Sequence, residues 1–329
     1  MEDQAEKLRE IMRQKRSHTR VGLGRRAQAH ITGNFSGNFA GNHPSGAASA
    51  DSREEKKTRI ITISSGKGGV GKTNLSVNMA LAFARIGRKV VVMDADLGLA
   101  NINVMFNLIP KYNLYHVIKK QKTIQEILVE TEYGISIVAG ASGFSQIANM
   151  GRKERQDFIE DMNGLSFADI ILIDTGAGVS SNVLDFIAAA DDAIIVTTPE
   201  PTAITDAYSI IKIIATEYKS IDMELKLVVN RARGAAEAKN VADRMTNITG
   251  QFLNMKMDYL GFVYEDQAVV NAVRHQKPFM VVDPKCKASI CVQHLVSRMD
   301  KSQPVESAGI GAMFRKIFGR SQGGIIGNV

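Results

Sequence analysis

The residues best able to do chemistry stand close together: Ser65–Thr73 reads SGKGGVGKT. Gly66, Gly68, Gly69 and Gly71, with Val70 among them, let the backbone curl and point its N–H groups inward. Lys72 and Thr73 complete the spacing G-x-x-x-x-G-K-[ST], the pattern of a phosphate cradle. In that chemistry Lys72 neutralises the β and γ phosphates, Thr73 offers its hydroxyl to Mg²⁺, and Asn74 follows at the head of a helix whose positive end adds to the site. The loop needs a strand before it and a helix after it. Ile60–Ser64 (IITIS) is β-rich and Asn74–Arg85 has a helical pattern, so both are present. Lys67 is one lysine more than a minimal phosphate loop requires.

Two carboxylate clusters belong to the same chemistry. KVVVMDAD (89–96) ends a strand on Asp94 and Asp96, and IILIDTGAG (170–178) ends another on Asp174. Ligands of open α/β sheets gather at the carboxyl ends of strands, where all of these residues would meet. Asp174 suits Mg²⁺, held directly or through water, while Gly176 or Gly178 allows close approach to the γ phosphate. Asp96 suits the orientation of an attacking water. Capping of the next segment is the competing role for Asp94, and less so for Asp96. Asn230 and Arg231 end a further strand (VVNR), where an amide is able to read the exocyclic amine of adenine or simply to cap a turn.

The elements that must position these groups are strands alternating with helices. Apolar runs recur at Val90–Met93, Ile135–Val138, Ile170–Ile173, Ala193–Val196, Leu225–Val229 and Leu260–Val263, with helical segments between most of them. That pattern predicts an α/β fold with a doubly wound, mostly parallel sheet over residues 59–299. The chain has 329 residues and a formal net charge of +7. The surplus lies in the two tails, residues 1–59 and 300–329, and leaves residues 60–299 neutral, which argues against nucleic acid as a partner. Cys286 and Cys291 are too few and too widely spaced for a disulfide framework or a C-x-x-C site, so reduced thiols in the cytoplasm are expected.

The tails carry motifs of their own. Residues 1–16 suit a short helix with Leu8, Ile11 and Met12 on one face, and residues 17–58, rich in Gly, Asn and Ser, suit a flexible linker. Within 300–329, the span 310–320 places Ile310, Met313, Phe314, Ile317 and Phe318 on one face beside Arg315, Lys316 and Arg320. This is a basic amphipathic helix, fit for a membrane interface or for docking on the protein's own core.

Together, KGGVGKT, DADLGLAN and IDTGAG resemble the deviant Walker-A ATPases of the MinD/ParA group, a SIMIBI-type branch of the P-loop NTPases. The resemblance covers residues 59–300 and implies ATP and Mg²⁺ as cofactors. It also implies an ATP-sandwiched homodimer in which Lys67 reaches the partner's phosphates, so that Lys67, Lys72 and Asp96 form the catalytic set. Asn230 then contacts adenine. GAMFRKIFGR resembles the membrane-targeting helix of MinD-type proteins, which implies reversible, peripheral attachment to anionic lipid on the inner face of the cell membrane. Asp3, Gln4, Ala5, Leu8 and Arg9 (DQAEKLR) resemble the N-terminal activator of the flagellar number-control group, FlhG/FleN/YlxH. That resemblance implies stimulation of an SRP-type flagellar GTPase (FlhF), with Gln4 near the partner's nucleotide, Leu8 as an anchor and Arg9 as a charged contact. Flagellar basal-body components are further partners implied by it.

Three other readings compete. A ParA-type DNA partition ATPase predicts a basic core and no apolar tail. A MinD-type division-site ATPase fits core and tail but leaves DQAEKLR without a use. An iron–sulfur carrier of the same fold needs a thiolate pair that CKASIC (286–291) does not supply.

Overall fold

The computed structural model describes residues 58–96, 101–140, 150–218, 224–301 and 307–323, all within the compact unit Lys56–Val329. Eight strands form one sheet in the order β3-β4-β2-β5-β1-β6-β7-β8. They are β1 (Arg59–Ser65), β2 (Val90–Ala95), β3 (Leu128–Glu130), β4 (Ile135–Val138), β5 (Ile170–Ala177), β6 (Asp192–Thr197), β7 (Glu224–Ala232) and β8 (Met257–Tyr264). Every pairing is parallel except β3 with β4. The seven apolar runs of the sequence are the seven parallel strands. The three-residue β3 is an addition: it folds back on β4 through a turn in which Gly134 takes φ 78°.

The parallel strands read as continuous apolar runs because both faces of the sheet are covered. Ile61, Ile63, Val90, Val92, Ile170 and Leu172 enter one core, which also contains α1 (Lys72–Arg85). Their neighbours Ile60, Val91, Met93, Ile171 and Ile173 enter a second core. That core is roofed by α3 (Leu114–Ile118), α4 (Ile124–Ile127), α5 (Arg152–Met162) and, from the end of the chain, α12 (Gly309–Gly323). The short α2 (Asn101–Met105) follows β2. The remaining helices are α6 (Ser181–Ala189), α7 (Pro201–Glu217), α8 (Ala235–Leu253), α9 (Gln267–Arg274), α10 (Phe279–Val282) and α11 (Lys287–Lys301). No helix among the described residues is long and apolar enough to cross a membrane.

At the base of the sheet, remote from the phosphate loop, three charged residues are buried together. Arg59 Nε lies 2.6 Å from Asp192 Oδ2, Lys226 Nζ lies 3.4 Å from Asp192 Oδ1, and Arg59 Nη1 donates to the carbonyl of Met299. One carboxylate thus ties β1, β6 and β7 together, and Arg59 ties them to the end of α11.

The C-terminal amphipathic helix sits differently from the lipid-facing arrangement that its pattern allows. Ile310, Met313, Phe314, Ile317 and Phe318 are all buried in the second core. Phe314 meets Phe158 edge-to-face at 5.0 Å and Phe186 at 6.4 Å, and Arg155 covers the Phe318 ring. Five such side chains contribute at most on the order of 10 kcal/mol through burial. The same stripe that suits lipid therefore suits the helix's own core, and in this state none of the five residues is available to a membrane. Ser307 Oγ, just before the helix, lies within hydrogen-bond distance of both Asp191 Oδ2, at 2.7 Å, and the carbonyl of Thr58, pinning the helix entry to the start of β1.

Candidate nucleotide site

β1 delivers its last residue, Ser65, into the glycine loop, and α1 begins at Lys72. Gly71 takes the left-handed conformation, φ 93°, and a side chain there would collide with Asn230 Nδ2. Gly66 is equally constrained: a Cβ would run into the backbone of Asp206 on α7. These two contacts are the physical reason for glycine at each position.

From the end of β7, Asn230 Nδ2 donates to the carbonyl of Val70 at 2.7 Å, and Arg231 donates to that of Gly69 at 2.8 Å. Arg231 does so from a left-handed backbone, φ 54°. Both residues clamp the loop, and with Nδ2 engaged, Asn230 keeps its amide oxygen for a donor such as an adenine amine. We expect Asn230→Ala to weaken ATP binding about tenfold, the worth of one amide hydrogen bond plus a loosened loop. Nucleotide titration checks this, and an unchanged affinity would remove Asn230 from the site.

At the floor of the site, Lys72 Nζ lies 3.2 Å from Asp174 Oδ1, which also accepts from Ser76 Oγ at 3.0 Å. Burial pushes the Asp174 carboxyl up, and Lys72, Thr73 and Ser76 pull it back. Asp174 Oδ2 is buried with no hydrogen-bond partner. An orphaned carboxylate oxygen beside a threonine hydroxyl fits a hard divalent cation, so Thr73 and Asp174 fit Mg²⁺.

Asp94 stands opposite Asp174 in the β2–β5 register. Burial, and then the charge of Asp174, push its pKa up to about 7. Its oxygens accept from the backbone N–H of Asp96 at 3.1 Å and Ile102 at 3.3 Å, so Asp94 works as a cap for the backbone at the end of β2 and in α2. Asp96 itself enters a cavity of about 450 Å³ that Lys67, Gly68, Lys72, Thr73 and Asn101 also line. Asn101 Nδ2 reaches Asp96 Oδ2 at 3.3 Å and orients it.

Lys67 is one of the residues lining that cavity. Its ammonium is held at 3.1 Å by Glu200 Oε2 and at 2.8 Å by Thr202 Oγ1, from the segment TTPEPTAITDAY at the start of α7. The pair is well exposed on both sides, so it is weak and readily exchanged for a better anion.

A second cavity of about 600 Å³ adjoins the first across Gly71, Asn74 and Arg231. Its walls are Val263, Tyr264, Glu265 and Asp266 from the end of β8, Val269 on α9, and Phe279. Apolar walls with a few polar groups suit a flat heterocycle. None of these six stands out in the sequence alone. The available signal was YEDQAVV (264–270) directly after an apolar strand, on the ligand-binding edge. Asn74 lines both cavities, and its Oδ1 is buried without a partner. The structure thus brings together Gly66–Asn74, Asp96, Asp174, Asn230 and Arg231. Asp3, Gln4, Ala5, Leu8 and Arg9 lie outside the described residues.

A phosphate loop at the carboxyl edge of a parallel sheet, an acidic strand end beneath it and a largely apolar cavity beside it define a P-loop nucleotide-binding protein. Residues 61–279 match the CobQ/CobB/MinD/ParA nucleotide binding domain, and the chain belongs to that family, whose MinD/ParA members are ATPases. It is 35% identical over 243 residues to antiactivator FleN of Pseudomonas aeruginosa, covering 74% of this chain and 86% of that one. It is 34% identical to flagellum site-determining protein YlxH of Helicobacter pylori, covering 79% and 90%. Among solved structures, the cell division ATPase MinD of Pyrococcus furiosus superposes with TM-score 0.61 at 25% identity, covering 74% of this chain and 99% of that one. MinD of Pyrococcus horikoshii, solved with Mg-ADP, gives 0.60 at 25% identity, covering 74% and 96%.

Proposed function

We propose that this chain is an ATP-hydrolysing regulator of flagellar number and placement that dimerises around ATP and cycles on and off the membrane. One observation carries the reading: Lys67 and Asp96 line one cavity with the phosphate loop. Relatedness to FleN and YlxH over about three quarters of the chain supplies the biological setting.

In this mechanism the loop amides and Lys72 bind the β and γ phosphates, and Thr73 and Asp174 would hold Mg²⁺, which would supply charge neutralisation. Asp96, oriented by Asn101, aligns the attacking water. Lys67 leaves Glu200 and Thr202 for the phosphates of the partner's nucleotide, as an arginine finger does. Two lysine-bearing faces repel until two nucleotides lie between them, so ATP is the dimerisation signal. We expect Lys67→Ala to bind ATP normally and to stay monomeric. An ATP-dependent dimer of that variant in sedimentation would defeat the role.

The membrane step follows from the seat of α12. The docked helix is the resting form; assembly of the ATP dimer releases it, and two copies then bind lipid together with the gain of a shared tether point. Hydrolysis returns the monomer and the docked helix. The N-terminal motif gives the chain a second output, stimulation of an SRP-type flagellar GTPase. A synthetic peptide of residues 1–20 should accelerate GTP hydrolysis by that enzyme, and a Gln4→Ala peptide should do so less. No stimulation by either peptide would remove the motif from the mechanism.

A further inference from the structure

The helical layer that holds α12 carries another surface of distinctive chemistry. No acidic residue occurs between Asp96 and Glu126, whereas Lys111, Lys119, Lys120 and Lys122 all fall there. They surround α3. Lys120 pairs with Asp161 and Lys122 with Glu126, but among the described residues no carboxylate pairs with Lys111 or Lys119. Lys111 and Lys122 lie 5.3 and 4.7 Å from the centroid of Tyr112, and Lys119 lies 5.7 Å from that of Tyr115. Just ahead of Lys111, Ile109 is 98% exposed beside Pro110. α3 packs on α5, and α5 packs on α12, so these groups belong to one continuous outer layer.

We propose that this surface is a second contact with an anionic lipid bilayer, made together with the released α12; the proposal rests on the membrane reading of that helix. Three observations favour lipid. Unpaired lysines beside tyrosines match the composition of a membrane–water interface. A fully exposed isoleucine at a loop tip has an apolar phase to enter there. The Tyr112 and Tyr115 rings already have the chain's own ammonium groups within 6 Å of their centroids, and these compete with a nucleobase for the ring. The physical need is also clear: one short amphipathic helix binds lipid weakly, and stable attachment takes a further signal.

The test is co-sedimentation of the full chain with Mg-ATP on vesicles of phosphatidylglycerol and phosphatidylethanolamine, and on phosphatidylcholine alone. Lys111→Glu/Lys119→Glu, a surface change, should lower affinity for the anionic vesicles at least about tenfold. It should flatten the salt dependence, leave ATP-dependent dimerisation intact and change phosphatidylcholine binding little. Ile109→Ser should weaken binding to a smaller extent and independently of salt. Phe314→Ser, measured beside them and shown by circular dichroism and ATP binding to remain folded, reads the contribution of α12. If Phe314→Ser abolishes binding while the lysine variant retains wild-type affinity, this inference fails and the α12 reading stands. If the lysine variant loses binding and Phe314→Ser does not, the lysine surface binds lipid alone, and the joint contact fails with the α12 reading. Loss of polynucleotide binding with unchanged vesicle binding would also overturn the proposal.

Discussion

Asp96→Ala is expected to bind ATP with near wild-type affinity and to hydrolyse it at least a hundredfold more slowly. The expectation follows from where Asp96 stands. It shares the cavity with Lys67 and Thr73, yet the loop is held from elsewhere: Asn230 and Arg231 fix its carbonyls, and Asp174 fixes Lys72. Removing Asp96 therefore spares the binding machinery and removes the group proposed to align water, for an expected loss of about 10²–10⁴ in rate. Phosphate release gives kcat and a fluorescent nucleotide gives Kd. A kcat within a few-fold of wild type would assign water alignment to another residue, and a large loss of affinity would make Asp96 a binding residue instead.

Asp192→Ala is expected to cost about 3–5 kcal/mol of folding stability, because it leaves the buried cations of Arg59 and Lys226 without their shared counter-ion. The damage is at the base of the sheet, so affinity for ATP under native conditions should change little. Denaturant titration measures the loss. Combining Asp192→Ala with Lys226→Met should restore part of it, because one of the stranded charges is then gone. A loss under about 1 kcal/mol for the single variant would show that water solvates these cations in its absence.

What was legible in the sequence and what was not divides along the range of the contacts involved. The parallel strands, the glycine loop, Asp174 and Asp96 were legible because each is a local signal: an apolar run, a fixed spacing, or an acidic residue ending a strand. β3 was not, since a three-residue edge strand has no periodicity to read. The base cavity was not, because it is assembled from the ends of β7 and β8, α9 and Phe279, which converge only when the sheet forms. That Glu200 and Thr202 hold Lys67 was hidden for the same reason, since they lie more than a hundred residues from it. For α12 the pattern was legible and its partner was not, because an apolar stripe of Ile310, Met313, Phe314, Ile317 and Phe318 satisfies a lipid interface and a protein groove equally well.

If ATP occupancy controls both dimer assembly and the seat of α12, hydrogen–deuterium exchange of Asp96→Ala, compared between Mg-ADP and Mg-ATP, reads both at once. With ATP, the backbone of residues 309–319 is expected to lose protection while the loop around Lys67 and the start of α7 gain it. Equal exchange of all three segments in the two nucleotide states would show that ATP governs neither.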